Sequence, residues 1–308
     1  MKLLTILQIV FLLAATLVTV NAKDFNSRPV VPEQLYDLIN RANHIIVKME
    51  PFKDSKIIFE STDVKDITGL KDSIILQPQD GWFHCMCIGT PAIYLYNDQK
   101  LLLEITNHHG LSIRTSIWTS DARISDIQKW LKWFDDRGID SPRKEYEDSI
   151  IRQKKAEKDY EKWINMMPMA IKPYWEEATK DPWNYNIELL ENALKKKVKK
   201  TDNQIMELLA WYGSGAGPWS GFPMYEEVAC KLLLKYPTSE IITAIRATEL
   251  TETHIEGAAR LFGGWSFNKQ RPDDLKLLPN EFKALFWNHV KKTNDKDKYS
   301  RAERAFSI

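Results

Sequence analysis

Beyond residue 186 this chain has no strand-like run. Residues 187–197, 202–212, 225–236, 239–248, 252–262, 280–291 and 297–306 each carry apolar positions at helical spacing, and short connections join them. Such a stretch can bury its apolar faces only helix against helix, as a bundle or a solenoid of helix pairs. It shows no clean repeated period, so no named repeat is assigned.

The first half reads differently. A short helix begins at Pro32, with Leu35, Leu38, Ile39 and Ala42 on one face. Residues 44–49, 56–60 and 72–77 are strand-like, and residues 62–70 are a loop or one helical turn. A β-meander follows over residues 83–88, 92–96 and 100–106, broken by Gly89-Thr90-Pro91 and Asn97-Asp98, with residues 112–118 as a fourth run. Ser120 or Asp121 then caps a helix with Ile124, Ile127, Trp130, Leu131 and Phe134 at 3.6-residue spacing, which Gly138 stops. The expected architecture is an N-terminal α+β domain over residues 23–140, an antiparallel sheet with covering helices. A charged helix and an irregular connector fill residues 141–185, and an all-helical domain takes residues 186–308.

Residues 1–22 read as a signal peptide. Lys2 precedes a mostly apolar run, and Val20-Asn21-Ala22 offers small residues for cleavage. The alternative is an uncleaved anchor, which Gln8 and the threonines weaken. The chain is therefore expected to be exported, periplasmic or extracellular, with no membrane span after cleavage. The full sequence has 43 basic and 42 acidic residues, and loss of Lys2 balances them. A balanced charge gives no general attraction for nucleic acid. The lysine-rich run at 195–200 reads as a solvated helix end.

The unusual chemistry is concentrated between residues 82 and 114. Two of the three cysteines, Cys85 and Cys87, lie here with His84, His108 and His109. An odd, small cysteine count in an exported chain argues against a disulfide scaffold. On a strand, Cys85 and Cys87 would share a face with Cα atoms about 6.6 Å apart and side chains parallel, which disfavours a bond between them. Following the meander up, down and up again brings Cys87 and the His108-His109 pair to one end of the sheet. Thiolate sulfur and imidazole nitrogen are donors that zinc prefers. Three readings stand side by side. The cysteines are small core hydrophobes, or Cys85, Cys87, His108 and His109 form a metal site, or one thiol is a nucleophile activated by a histidine with Glu104 or Asp121 behind it. Arg114 is placed to pair with a carboxylate, Asp121 being the nearest.

Two further stretches stand out in the helical half. Residues 213–223, with Trp219 and Phe222 as plugs, form a glycine-rich loop whose amides suit either an anion or close helix packing. Residues 256–265 bring small residues, Arg260 and a Gly263-Gly264 stop. Arg260 is the candidate buried cation, with a structural ion pair as its ordinary role. Most of the eleven tryptophans, Trp130, Trp211 and Trp287 among them, fall at helical spacing and read as core, which leaves little to a carbohydrate-stacking role.

Taken together, H-C-x-C-x-G at 84–89, H-H-G at 108–110 with Arg114, G-P-W-S-G-F-P at 217–223 and E-G-A-A-R-x-F-x-G-W at 256–265 resemble a group of uncharacterised bacterial proteins. The resemblance implies that these stretches belong together and carries no activity with it. The leading expectation is a non-catalytic binding or interaction protein with an unidentified protein or small-molecule partner. The competing one is a zinc-binding or thiol-dependent enzyme with its site at the rim of the sheet.

Overall fold

The computed structural model describes residues 28–78, 83–182 and 184–306. The expected signal peptide, Trp82 and most of the turn at 78–81 lie outside them. The chain divides into two compact units, Met1–Lys155 and Ala156–Ile308.

The first unit is α+β. Helix α1 (Pro32–Asn40) leads into strands β1 (His44–Lys48) and β2 (Ile57–Ser61), then helix α2 (Val64–Ser73). Strands β3 (Ala92–Asn97), β4 (Lys100–His108), β5 (Ser112–Thr115) and β6 (Ala122–Arg123) follow, then helix α3 (Ile127–Asp135). The sheet is antiparallel with order β2-β1-β3-β4-β5-β6. Period-two alternation sends Ile45, Val47, Leu103, Ile105 and Ile113 into one core. Leu35 and Ile39 from α1, Ile67 and Leu70 from α2, and Trp130, Leu131 and Phe134 from α3 close over them.

Three local expectations change. Residues 62–77 give the helix α2, capped by the Asp63 carboxylate on Lys65 N, and only an isolated bridge from Leu76 to Ile124 in place of a strand. The cap of α3 is Asp126, which accepts from Lys129 N; Ser120 and Asp121 lie before β6 instead. Most consequentially, residues 83–88 are an irregular loop with a bend at Met86-Cys87. Its backbone polar groups find side chains before they find a neighbouring strand. Phe83 N donates to Ser120 Oγ, Cys85 N to Asp121 Oδ2, and the carbonyls of Cys85 and Cys87 accept from Arg114. Buried backbone groups must be paired, and a side chain that pairs them competes with a ladder.

Helix α4 (Ser141–Met166) contains the boundary between the units. The second unit is helical. A short 3-10 turn (Lys172–Tyr174) and α5 (Trp175–Ala178) precede α6 (Ile187–Lys197), α7 (Thr201–Gly213), α8 (Glu227–Leu233) and α9 (Thr238–Ala247). Helices α10 (Glu252–Gly263), α11 (Trp265–Gln270), α12 (Asn280–Lys291) and α13 (Lys296–Phe306) complete it. Its core is aromatic: Trp163, Trp211, Trp219, Phe262, Phe267, Phe286 and Phe306 are all buried. Helices α7 and α10 approach closely because they meet at glycines. A Cβ on Gly257 would sit 1.9 Å from the Leu209 carbonyl oxygen. Among the described residues no helix is long and apolar enough to cross a membrane.

Candidate functional site

The loop over residues 83–90 returns to the sheet where Thr90 N donates to Asn107 O and Asn107 N donates to Pro91 O. That seats Gly89 directly above His108. A Cβ at Gly89 would lie 2.5 Å from His108 Nε2, and φ there is +76°, so glycine alone suits this crossing. The β4–β5 hairpin supplies the histidines. Leu111 N donates to His108 O, and the two residues between, His109 and Gly110, have φ of +57° and +69°. Positive φ at both central residues is the requirement of a type I′ turn, and histidine is among the few non-glycine residues that visit that region.

Three of the four donors converge, and His109 reaches one of them. Cys85 Sγ lies 3.1 Å from Cys87 Sγ and 3.3 Å from His109 Nε2, and Cys87 Sγ lies 3.0 Å from His108 Nδ1. The sulfur and nitrogen atoms of Cys85, Cys87 and His108 all fall within 4.8 Å of one another. The bend at Met86-Cys87 turns the two thiols toward each other, where a strand would have held them parallel. Neither cysteine is a core residue; both are half-buried.

Each imidazole is held from behind. His108 is fully buried, and its Nε2 lies 3.0 Å from Thr106 Oγ1. The His109 side chain is 38% exposed, and its Nδ1 lies 2.7 Å from Glu145 Oε1 on helix α4. The loop itself is clamped by an ion pair between the half-buried Arg114 and the buried Asp121. Arg114 Nε donates to Asp121 Oδ1 at 2.7 Å and Arg114 Nη2 to Asp121 Oδ2 at 3.0 Å. Asp121 is completely shielded from solvent, so a bidentate guanidinium is the partner its charge needs. Arg114 and Asp121 therefore position the backbone of the thiol loop and stand behind the donors.

Hydrogen bonding polarises the cluster. Donation from the Cys87 thiol, with help from both histidines, outweighs burial and brings the Cys85 thiol far below the usual thiol range. Cys87 moves the opposite way, because it holds the proton that Cys85 accepts. The Cys85 and Glu145 contacts push His109 up to about 10. A thiolate at Cys85 facing a protonated His109 is the charge state these contacts favour.

Glu145 and Thr106 were not among the sequence candidates. Glu145 is one acid in a highly charged helix, and nothing in the sequence separates it from Glu147 or Asp148. Of the two carboxylates considered for orienting a histidine, Asp121 is engaged by Arg114. Glu104 is half-buried beside Tyr94, where burial raises its pKa.

The remaining candidates lie in the helical unit. Trp219 is buried, and its indole donates to Glu256 Oε1 at 3.1 Å. Phe222, expected as a second plug, is 61% exposed. Arg260 forms a sealed ion pair with Glu226. Cys230 is buried in α8, and burial pushes its thiol up to about 12. A cavity of about 220 Å³ is lined by Gly263, Gly264, Trp265, Asn268, Arg301 and Arg304, which supply no thiol, imidazole or carboxylate. No family model matches the chain, and no curated protein or solved structure matches it.

Proposed function

We propose that this chain is an exported metal-binding protein whose centre is built by Cys85, Cys87 and His108, with His109 at its rim. Zinc is the ion that the donor set fits. Two thiolates and an imidazole suit a borderline-soft ion, and three protein donors leave a fourth tetrahedral position for an incoming group or for His109. The observation that carries this reading is the support behind the imidazoles. His108 and His109 each present one nitrogen to a sulfur while the other nitrogen is held, by Thr106 Oγ1 and by Glu145 Oε1. That is how metal-ligating histidines are kept in one tautomer and one orientation. The sulfur–nitrogen and sulfur–sulfur distances of 3.0–3.3 Å are slightly shorter than the edges of a zinc tetrahedron, about 3.5–3.8 Å from ordinary bond lengths. A small outward shift of the half-buried loop accommodates the ion.

Elemental analysis of reduced mature protein tests this. About one equivalent of zinc is expected for the natural chain, and none for Cys87→Ala, with the far-ultraviolet circular dichroism unchanged. A metal-free natural chain that also takes up no zinc on titration would rule the reading out.

A further inference from the structure

We infer that, when no metal occupies the centre, Cys85 and Cys87 act as a thiol–disulfide exchange pair that reduces peptide disulfides, Cys85 attacking and Cys87 resolving. The inference rests on the same four side chains as the metal reading, but it does not need a metal to bind. It needs two sulfurs in line with each other, an imidazole beside each to hold or give a proton, and a path for one sulfur to an incoming disulfide.

The geometry supplies all three. The thiols face each other at 3.1 Å across a bend, and the third cysteine of the chain, Cys230, is buried in a helix of the other unit. Each sulfur has its own imidazole, His109 for Cys85 and His108 for Cys87. The two ends differ in access. His108 is shielded from solvent, whereas the His109 side chain is 38% exposed. Cys85, the sulfur beside the exposed imidazole, is therefore the attacking group, and Cys87, against the buried imidazole, the resolving one. Between and beyond them, Met86 is 86% exposed and Ile88 50% exposed. A flexible thioether and a branched aliphatic chain flanking the thiols give a peptide an adaptable apolar contact.

The reaction balances without another reagent in the reductive half. Cys85, its proton already on His109 Nε2, attacks one sulfur of R–S–S–R′. A Cys85–S–R bond forms, the substrate S–S bond breaks, and R′S⁻ leaves with the proton from His109 as R′SH. Cys87 passes its proton to His108 Nδ1 and attacks Cys85 Sγ. The Cys85–Cys87 bond forms, and RS⁻ leaves with that proton as RSH. The substrate gains two electrons and two protons, and the protein dithiol loses them. A dithiol reductant returns the protein to its starting state.

Oxidised glutathione is the probe, added to reduced full-length protein from which metal has been stripped by a chelator. The natural chain should lose about 2 Da and release two equivalents of glutathione, and peptide mapping should find Cys85 joined to Cys87. Cys87→Ser should stop as a glutathione adduct on Cys85, and Cys85→Ser should react about 100-fold more slowly than the natural chain. An adduct that persists on the natural chain, an adduct mapped to Cys87 or Cys230, or a Cys85 no faster than a thiol in denaturant would each overturn the inference. The mass change and mapping of the natural chain need no variant, so a misfolded serine variant does not blunt the test. Zinc stoichiometry is read on the reduced protein before chelation. A chain that binds zinc but does not exchange sinks only this inference, and one that exchanges without binding zinc sinks only the metal reading.

Discussion

Two polar clusters, one in each unit, are finished differently. In the helical unit Arg260 Nη2 lies 2.6 Å from Glu226 Oε2, and both side chains are 1% exposed. The carboxylate also accepts from Ala216 N and Gly217 N, while Arg260 donates to Tyr212 O and stacks over its ring. Glycines draw the loop tight around the pair: a Cβ on Gly215 would lie 2.3 Å from Arg260 Nη1. Both charges are closed off by backbone and leave no room for a visitor. In the sheet unit the Cys/His donors face one another, half-open, with their support on the outer side. A buried pair enclosed by its own fold is a structural device. Soft donors that face one another with solvent access are what the proposed metal reading rests on.

The largest effect expected from this contrast belongs to Glu226→Ala. It leaves the Arg260 guanidinium buried without its counter-charge, and such a loss costs about 3–5 kcal/mol. Urea unfolding of the variant should show the drop with the m-value unchanged, and adding Arg260→Met should return a large part of it. A cost below about 1 kcal/mol would mean that water reaches the pair, and the contrast between a sealed and an open cluster would collapse.

That pair also shows what can be read from the sequence. The glycine-rich loop reads as amides for an anion or as a device for close helix packing; the anion its amides hold is Glu226, ten residues or fewer along the same chain. Strands β3 and β4, and helices such as α6 and α10, follow from apolar content and spacing, although residues 92–95 of β3 and 257–263 of α10 are buried without a break. The thiol loop does not. Its backbone is held by Arg114, Ser120 and Asp121, and no local pattern in residues 83–88 announces partners that distant. Cys87 does meet His108, but through a clamped loop and a tight turn, with no first strand in the meander. Glu145 arrives from a helix whose start is legible and whose individual acids are not distinguishable until the hairpin selects one of them.

The next effect concerns acid. Burial would raise the Glu256 carboxyl, yet the contacts of His289, Lys298 and Trp219 outweigh it and hold the group down to about 2, against 4.5 ordinarily. Its folded pKa is depressed, so its contribution is fully present above about 4.5 and is lost as the pH falls through about 2. The shift corresponds to about 3 kcal/mol. Urea midpoints from pH 7 to pH 2.5 should fall for the natural chain and fall less for Glu256→Gln. Parallel curves for the two would show that another group drives acid unfolding.

The smallest effects bear on the open cluster and separate its histidines. Thr106→Val keeps the shape of a buried side chain and removes the hydroxyl beside His108 Nε2. Loss of such a partner behind a ligand costs about 10–100-fold in metal affinity, or about 1.4–2.7 kcal/mol, and zinc competition titration would read it. Glu145→Gln removes the carboxylate behind His109, which is partly exposed, so global stability should change by less than about 1 kcal/mol. Its effect on zinc locates the fourth corner. If His109 stays at the rim, Glu145→Gln leaves affinity near that of the natural chain while Thr106→Val weakens it. Equal losses from both would move His109 into the coordination shell, and no loss from Thr106→Val would remove His108 from it. The comparison is informative because both substitutions act one bond removed from the donors, on groups that differ in burial but hold their imidazoles in the same way.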